Sequence, residues 1–147
     1  QKKLYEYNKE LKAIVLNSSA RTAQQAAESL NTEVGSIVKS LLFKTENGFV
    51  LCLVSGDKRC SLNKIKKIKN QKDVSMANPD QVKEITGFTI GGVSPVGHLK
   101  QLEIYIDEEL SRFKNIYAAA GHPNCIFKID FDNLTKITKG SVKNITE

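Results

Sequence analysis

The chain has 147 residues, 40% of them hydrophobic and 26% charged, which is typical of a folded globular protein rather than a disordered one. Twenty-two Lys and Arg against sixteen Asp and Glu give a formal charge of +6, which favours polyanionic partners although many basic proteins have none. Three cysteines without a C-x-x-C pair argue against a disulfide framework and favour the cytoplasm, and no apolar stretch is long enough to span a bilayer.

The beginning of the chain predicts a helix, a strand and a second helix. Residues 1–12 fit an opening helix, and the apolar run Ala13 to Leu16 fits a short strand. Thr22 and Gln25 have the spacing of a capping box, in which each residue satisfies a backbone N–H of the other. This spacing predicts a helix that continues to Leu30.

A hairpin is predicted next. Val34 to Phe43 and Phe49 to Val54 are apolar runs of strand length, and Asn47-Gly48 separates them. Asn-Gly readily adopts the positive φ angles of a tight hairpin turn. We therefore expect two antiparallel strands joined through this dipeptide.

Two helix starts follow the hairpin. Ser61 is a predicted N-cap of a helix with three apolar residues on one face, namely Leu62, Ile65 and Ile68. Asn78 before Pro79 predicts another N-cap, with proline at the first helical position.

The remaining chain mixes strands and helices without strict alternation. A glycine-rich structured loop is predicted from Thr86 to His98. Strands are predicted over 102–106, 116–119 and 125–129, a helical connection over 108–113 and a short closing helix over 132–137. This order predicts one α+β domain over 1–147, with a mixed, strongly curved, barrel-like sheet flanked by helices.

Lys39 is the first candidate for chemistry. Side chains alternate along a strand, so Lys39 shares a face with Ile37, Leu41 and Phe43. An ammonium among apolar neighbours is costly unless an anion or several acceptors meet it. The lysine either awaits a substrate or packs its stem while its head reaches water, and the strand alone does not distinguish these alternatives.

Two glycine-containing segments are further candidates. Gly91-Gly92-Val93-Ser94-Pro95-Val96-Gly97-His98 can bring backbone N–H groups close to a developing oxyanion, or it can be an ordinary surface turn. In Ala118-Ala119-Ala120-Gly121-His122-Pro123-Asn124, the small residues suit a close approach by a ligand. His122 can exchange a proton near neutral pH, or it can be only a satisfied polar residue in a turn.

Basic residues cluster between positions 58 and 72 with no acidic residue among them: Lys58, Arg59, Lys64, Lys66, Lys67, Lys69 and Lys72. Such a face either binds RNA phosphates or is merely solvated. The sequence has no P-loop, no GxGxxG that opens a helix and no H-E-x-x-H, and its histidines and cysteines lack metal-ligand spacing. We therefore expect neither a metal nor a cofactor.

Five blocks of the sequence are distinctive in their order and spacing: TAQQAAESL, IVKSLLFK, FVLCLVSGDKRCSLNKIKKI, MANPDQVKEITGFTIGGVSPVGH and IYAAAGHPNCIFKIDFDNLTKIT. Together they resemble the YbaK/ProX family of aminoacyl-tRNA editing domains over nearly the whole chain. The resemblance implies a YbaK-like fold and an aminoacyl-tRNA deacylase, which hydrolyses the ester between a wrong amino acid and the terminal ribose of tRNA.

The resemblance also implies roles for individual residues. Lys39 matches the family's strand lysine, which holds the terminal adenosine and the substrate, and Gly91 begins the family's GxxxP element, whose backbone positions the aminoacyl carbonyl. We expect catalytic roles for these two residues, and we expect the ammonium to lie on the same side of the sheet as the glycine loop. Expected substrate contacts come from Gly92, Ser94, Pro95, His98, Gly121 and His122.

The family resemblance implies a reaction without a dedicated side-chain base, in which water is assisted by the substrate's ribose hydroxyl and by backbone groups. The expected partners are the 3′ end of an aminoacyl-tRNA and prolyl-tRNA synthetase, not a membrane or DNA. Proline tRNA carrying Ala, Cys, Ser or Thr is the expected substrate. His122-Pro123-Asn124 departs from many members, so the accepted amino acid stays open.

Two alternatives stay open from the sequence. The first is a tRNA- or nucleotide-binding module without catalysis, which the basic segment between Lys58 and Lys72 would suit. The second is a domain cut from a larger synthetase. We expect a free-standing protein because the chain shows no synthetase motif.

Overall fold

The computed structural model describes residues 13–15, 22–90, 92–122 and 125–147, which form an α+β fold. Its eight described strands are β1 Ala13–Val15, β2 Val38–Lys44, β3 Phe49–Ser55, β4 Ser75–Met76, β5 Glu103–Asp107, β6 Ile116–His122, β7 Cys125–Ile129 and β8 Ser141–Lys143. Its described α-helices are α1 Ala23–Leu30, α2 Leu62–Lys69, α3 Pro79–Thr86 and α4 Phe131–Thr138. Each of these helices has eight residues, and none is long and apolar enough to cross a membrane.

The described strands form two open sheets. One is antiparallel, in the order β1-β7-β6, and the other is mixed, in the order β4-β2-β3-β5-β8 with β3, β5 and β8 parallel. Between β2 and β6, the described residues form a single bridge, from Ile37 to Tyr117. The α+β class is confirmed, but the strongly curved, barrel-like sheet is wrong because the hydrogen-bonded ladders are divided between two sheets that do not close.

The helix caps follow the sequence closely. Thr22 Oγ1 accepts from the Gln25 N–H at 3.1 Å, and the Thr22 N–H donates to Gln25 Oε1 at 3.4 Å, so the predicted capping box is confirmed. Asn78 caps α3 with Pro79 at its first position, and Ser61 caps α2. The helix predicted over 1–12 lies outside the described residues.

The predicted hairpin is confirmed as a strand pair but not as a tight turn. β2 and β3 pair antiparallel from Val38 opposite Ser55 to Lys44 opposite Phe49. The connection has four residues, 45–48, and the Thr45 N–H donates to the Gly48 carbonyl at 2.8 Å. Neither Asn47 nor Gly48 has positive φ, so the predicted tight turn with positive φ angles at Asn-Gly is wrong. The first strand also begins later than predicted, because residues 34–36 form a 3₁₀ turn.

The later elements agree with the sequence to within a few residues. β5, β6, β7 and α4 lie where strands and a helix were expected, and a 3₁₀ helix at Glu108–Arg112 makes the predicted helical connection. No sequence pattern indicated β4 and β8, which have two and three residues and lie at the edges of the mixed sheet.

Both faces of the mixed sheet are buried. Val38 and Leu42 belong to a core cluster that includes residues of α3 and α4, whereas Phe43 and Cys52 on the other face pack with Ile65 of α2. Of the apolar stripe predicted on α2, Ile65 is fully buried, but Leu62 and Ile68 are 37% and 36% exposed. The prediction of an inward stripe therefore holds only for its central residue.

Candidate active site

A cleft opens where the two sheets separate beyond the Ile37–Tyr117 bridge. β4 covers β2 only near Phe43 and Lys44, so among the described residues the edge from Lys39 to Leu41 has no ladder partner on the β6 side. A cavity of ≈ 720 Å³ fills this cleft. Its described walls come from β2, β6, the start of α1 and the segment after α3, and they include Ile37, Val38, Thr89, Ile90, Val93, Tyr117, Ala118 and Ala119.

Lys39 lines this cavity. On β2 it lies opposite Val54 and shares a face with Leu41 and Phe43, as the sequence predicted. Its ammonium donates to the carbonyl oxygen of Lys58 at 2.5 Å. No carboxylate among the described residues lies within ion-pair distance of it. An ammonium has three donors, so two remain available to a ligand.

The electrostatic surroundings of Lys39 combine burial with nearby acidic groups. Burial disfavours the charged ammonium and lowers the pKa of Lys39, while Cys60, Asp57 and Asp107 oppose part of that shift. The ammonium is therefore half-buried and short of hydrogen-bond acceptors. Both properties suit a lysine that meets an anion or a carbonyl of a bound molecule.

The glycine loop is part of the core rather than a surface turn. Gly91 lies outside the described residues, but Gly92, Val93, Ser94, Pro95 and Val96 are all buried. Val93 and Val96 pack in the same core cluster as Val38 and Leu42 of β2. A packed loop holds its backbone groups in fixed directions, as an oxyanion-binding loop must.

Lys39 and the loop approach the cavity from different faces of β2. The loop packs on the face of Val38 and Leu42, whereas Lys39 starts from the face of Leu41 and Phe43. Both Lys39 and Val93 line the cavity, because this part of β2 is a sheet edge. The ammonium itself is held by the Lys58 carbonyl, and the expectation that it lies on the same side of the sheet as the glycine loop stays a prediction.

Other residues that were expected to contact the substrate make hydrogen bonds within the glycine loop itself. Ser94 Oγ accepts from the Val96 N–H at 3.3 Å, and His98 Nε2 lies 2.6 Å from the Ser94 carbonyl oxygen. The His98 ring meets the Phe88 ring edge-on, with centroids 6.2 Å apart. Gly121 has φ +96°, and a Cβ there would lie 3.0 Å from Phe88. Phe88 thus links the loop to the end of β6.

His122 ends β6 and pairs with Cys125, after an irregularity in the register that follows Ala119. The described cavity walls include Thr89, Ile90, Val93, Ala118 and Ala119. The roles expected for the neighbouring residues stay predictions, namely those of Gly92, Ser94, Pro95, His98, Gly121 and His122.

Ser40 is a site residue that the sequence reasoning missed. Its Oγ is buried and has no hydrogen-bond partner among the described residues, although the residue lines the cavity. Buried hydroxyls are normally paired, so an orphan beside a cavity points to a missing polar partner. Its position directly after Lys39 on an apolar strand was a signal that could have found it.

The polar groups of the cavity are hydroxyls and one ammonium. Thr22, Ser40, Thr89 and Tyr117 line it together with Lys39, and the described lining includes no carboxylate or imidazole. Within the described ranges, no group of three His, Cys, Asp or Glu residues could hold a metal ion. This lining can hydrogen-bond and orient a neutral or anionic molecule that has an apolar part.

Several curated proteins are similar in sequence. The chain is 31% identical over 138 residues to the uncharacterized protein YwhH of Bacillus subtilis, covering 93% of this chain and 87% of that protein. It is 30% identical over 126 residues to EbsC of Enterococcus faecalis, named as a candidate Cys-tRNA(Pro)/Cys-tRNA(Cys) deacylase, covering 85% of this chain and 77% of EbsC. A proline–tRNA ligase of Thermosipho africanus is 38% identical over 101 residues, which are 69% of this chain but only 18% of the ligase.

Solved structures agree with these relatives. A crystal structure of a candidate trans-editing enzyme for prolyl tRNA synthetase superposes with a TM-score of 0.93 and 40% identity, covering 98% of this chain and 92% of that one. The hypothetical protein APE2540 superposes with a TM-score of 0.90 and 27% identity, covering 99% of both chains.

Residues 17–137 match the family described as the aminoacyl-tRNA editing domain. The matched segment contains Lys39, the glycine loop and strands β2 to β7, which include the strands that border the cleft. The chain therefore belongs to the aminoacyl-tRNA editing domain family.

Proposed function

We propose that this protein is a trans-editing deacylase, which hydrolyses the ester between a wrong small amino acid and the 3′ end of proline tRNA. The observation that carries the proposal is the cleft between β2 and β6, in which an apolar cavity of ≈ 720 Å³ is bordered by a half-buried ammonium and a packed glycine loop. Membership of the aminoacyl-tRNA editing domain family supports the same chemistry.

In this proposal the amino acid side chain enters the apolar part of the cavity. The loop that begins at Gly91 directs backbone N–H groups at the ester carbonyl, and the Lys39 ammonium holds the terminal nucleotide. Water attacks the carbonyl carbon with help from the substrate's ribose hydroxyl, the ester C–O bond breaks, and the ribose oxygen takes a proton. An aminoacyl ester is already activated, so orientation and oxyanion stabilisation supply much of the acceleration.

The size of the cavity limits which amino acids are accepted. Ala118 and Ala119 form part of its wall, and small side chains there leave room for Ala, Cys, Ser or Thr. A single methylene changes transition-state binding by about 1–3 kcal/mol, so we expect overlapping activity on these amino acids.

Prolyl-tRNA synthetase is the proposed source of the mischarged substrate and a partner of the protein. Among the relatives described above, one is named for trans-editing with that synthetase, and the proline–tRNA ligase contains a segment similar to this chain. The chain spans about a fifth of the ligase, so the ligase's own activity is not carried over. A substrate made during translation fits the cytoplasmic location expected from the unpaired cysteines.

A deacylation panel tests the proposal. Proline tRNA charged with Ala, Cys, Ser, Thr or Pro is incubated with the protein, and the remaining ester is measured after subtraction of spontaneous hydrolysis. We expect turnover of at least one of the four wrong amino acids and protection of Pro. Salt-sensitive binding of every tRNA without turnover would instead favour the non-catalytic RNA-binding module.

A further inference from the structure

A second cavity, of ≈ 530 Å³, lies on the face of β2 that carries Leu41 and Phe43. Lys39 and Leu41 line both cavities, so the two meet at the free edge of β2. The lining of the second cavity combines three basic residues with apolar ones, namely Lys39, Lys58 and Arg59 with Leu41, Phe43, Leu62 and Met76.

The acidic groups of the described residues offset the positive charge of this cavity only in part. Its one carboxylate among the described lining residues is Asp57, which Arg112 holds with Nη2 to Oδ1 at 2.8 Å and Nη1 to Oδ2 at 3.2 Å. The side chains of Lys58 and Arg59 make no hydrogen bond or ion pair with a described residue. An excess of cations around a concave surface attracts an anion.

The turn that carries these two cations is held in place. Gly56 approaches the Val34 carbonyl so closely that a Cβ there would lie 2.3 Å from the oxygen. The Lys58 N–H donates to the Ser55 carbonyl at 3.0 Å, and Arg112 donates to Ser55 Oγ at 2.9 Å. A fixed turn lowers the conformational cost of presenting Lys58 and Arg59 to an anion.

The structure also divides the basic segment between positions 58 and 72. Lys64 donates to the Thr146 carbonyl and to Asn144, and Lys69 pairs with Glu103. These two lysines serve the fold, whereas Lys58 and Arg59 face the second cavity. Lys67, on the exposed side of α2, is not among the described residues that line it, so it offers a matched control for charge.

We propose that the second cavity binds the phosphodiester between the terminal adenosine and the penultimate nucleotide, with Lys58 and Arg59 as its contacts. The inference rests on the proposed function, in which the ester lies in the first cavity, across the β2 edge. That phosphodiester is the negative charge of the substrate nearest the ester, and Lys39 lies at the junction of the two cavities. The exposed apolar side chains of Leu62 and Met76 then lie where the penultimate base follows.

Two ester substrates test this assignment: an aminoacyl-adenosine that lacks any phosphate, and the same amino acid on a cytidylyl-adenosine dinucleotide. We expect Arg59→Ala to lower kcat/KM on the dinucleotide and on tRNA about tenfold, as for the loss of one charge-assisted hydrogen bond. The aminoacyl-adenosine should be hydrolysed at the wild-type rate. Lys67→Ala should leave all three substrates unchanged, and Arg59→Lys should recover part of the loss.

An equal loss on all three substrates would overturn the assignment, as would an equal loss in Lys67→Ala. Lys58→Ala provides a second variant, because it removes the side chain and keeps the carbonyl that Lys39 uses. Circular dichroism of each variant separates binding from misfolding.

Binding of an uncharged CCA trinucleotide separates this inference from the proposed function, because it requires no turnover. We expect Arg59→Ala to weaken binding and to reduce the slope of log K against log salt by about 0.7, the value for one phosphate of a single strand. An unchanged slope would overturn the phosphate contact. If the wild-type protein bound the trinucleotide with the expected slope but hydrolysed no ester, the proposed function would fail and the binding site would stand.

Discussion

The Lys39 ammonium donates to the carbonyl oxygen of Lys58 at 2.5 Å, so a side chain of β2 is held by the turn that follows β3. This bond keeps the charge at the edge where the two cavities meet. A carbonyl is a single neutral acceptor, and a bound phosphate or ester can replace it. The contact thus holds the Lys39 ammonium beside the cleft.

Replacement of Lys39 tests its catalytic role. We expect Lys39→Ala to lower kcat/KM on mischarged tRNA about 100-fold, because contacts to a charged group are worth about 1.5–3 kcal/mol. The urea midpoint should change little, since the ammonium makes one described hydrogen bond. Lys44→Ala, on the exposed end of the same strand, is the control. Full activity of Lys39→Ala on every charged tRNA would contradict the assigned role.

The pKa of Lys39 should be lowered because the side chain is partly buried. Burial lowers the pKa of Lys39 from its ordinary value of 10.5. Between the native and the unfolded pKa, the unfolded chain binds more protons, so this group's contribution to the free energy of unfolding increases as the pH rises. NMR titration of the labelled Nζ should give a midpoint below 10.5, and Lys39→Met should lose the pH-dependent contribution. A midpoint at or above the ordinary value would contradict the burial.

Replacing Ser40 should not destabilise the protein. Its Oγ has no described hydrogen-bond partner, so Ser40→Ala should leave the free energy of unfolding unchanged or raise it by about 1–3 kcal/mol. Ser55→Ala is the matched control, because Ser55 Oγ donates to the Gly35 carbonyl and accepts from Arg112. Ser55→Ala should lower the free energy of unfolding by about 1–3 kcal/mol. Urea unfolding measures both, and an equal loss in Ser40→Ala would show that its hydroxyl is already paired.

Ala119 should influence which amino acid is removed. It lines the first cavity, so Ala119→Leu should narrow the space and disfavour Thr relative to Ala by about 1–3 kcal/mol for each methylene that no longer fits. The ratio of kcat/KM on the two charged tRNAs measures the change. Ala119→Ser, which nearly keeps the volume, should preserve the wild-type ratio. If both variants kept it, the amino acid would not bind against this wall.

Arg112 should stabilise the turn before Lys58 modestly. Its bidentate pair with Asp57 is about one-third exposed, so Arg112→Ala should cost about 1 kcal/mol in the free energy of unfolding. The Arg112 hydrogen bond lowers the pKa of Asp57, so this contribution is present above the unfolded carboxylate's pKa and is lost as the pH falls through the native one. Urea unfolding at neutral and acidic pH should show that the free energy of unfolding decreases less on acidification in Arg112→Ala than in the wild type. An unchanged pH dependence would contradict the pairing.

Local features of the fold could be read from the sequence because a few neighbouring residues specify them. The Thr22–Gln25 capping box and the Asn78–Pro79 helix start need only groups within one helical turn. The alternation of side chains along β2 likewise predicted that Lys39 lies on the same face as Leu41 and Phe43. In each case, the deciding hydrogen bond or side-chain direction is set by residues close in the chain.

The length of the connection between β2 and β3 is not determined by the Asn-Gly dipeptide alone. Asn47-Gly48 favours positive φ, but the β2–β3 register closes at Lys44 opposite Phe49 and leaves four residues between the strands. Strand register depends on burial of both faces of the sheet, which outweighs the preference of a dipeptide. The exposure of Leu62 and Ile68 has a similar cause, because α2 contacts the sheet mainly through Ile65.

The sequence by itself determined the helix starts, the alternating faces of β2 and, through the spacing of its motifs, the likeness to the aminoacyl-tRNA editing domains. Only the tertiary structure decided that the strands form two open sheets, that the edge of β2 is left free and that Lys39 stands between two cavities. The reason is that caps and side-chain alternation depend on neighbours in the chain. Cavities depend on which distant strands fail to pair, as β2 and β6 do beyond Ile37 and Tyr117 in the described structure.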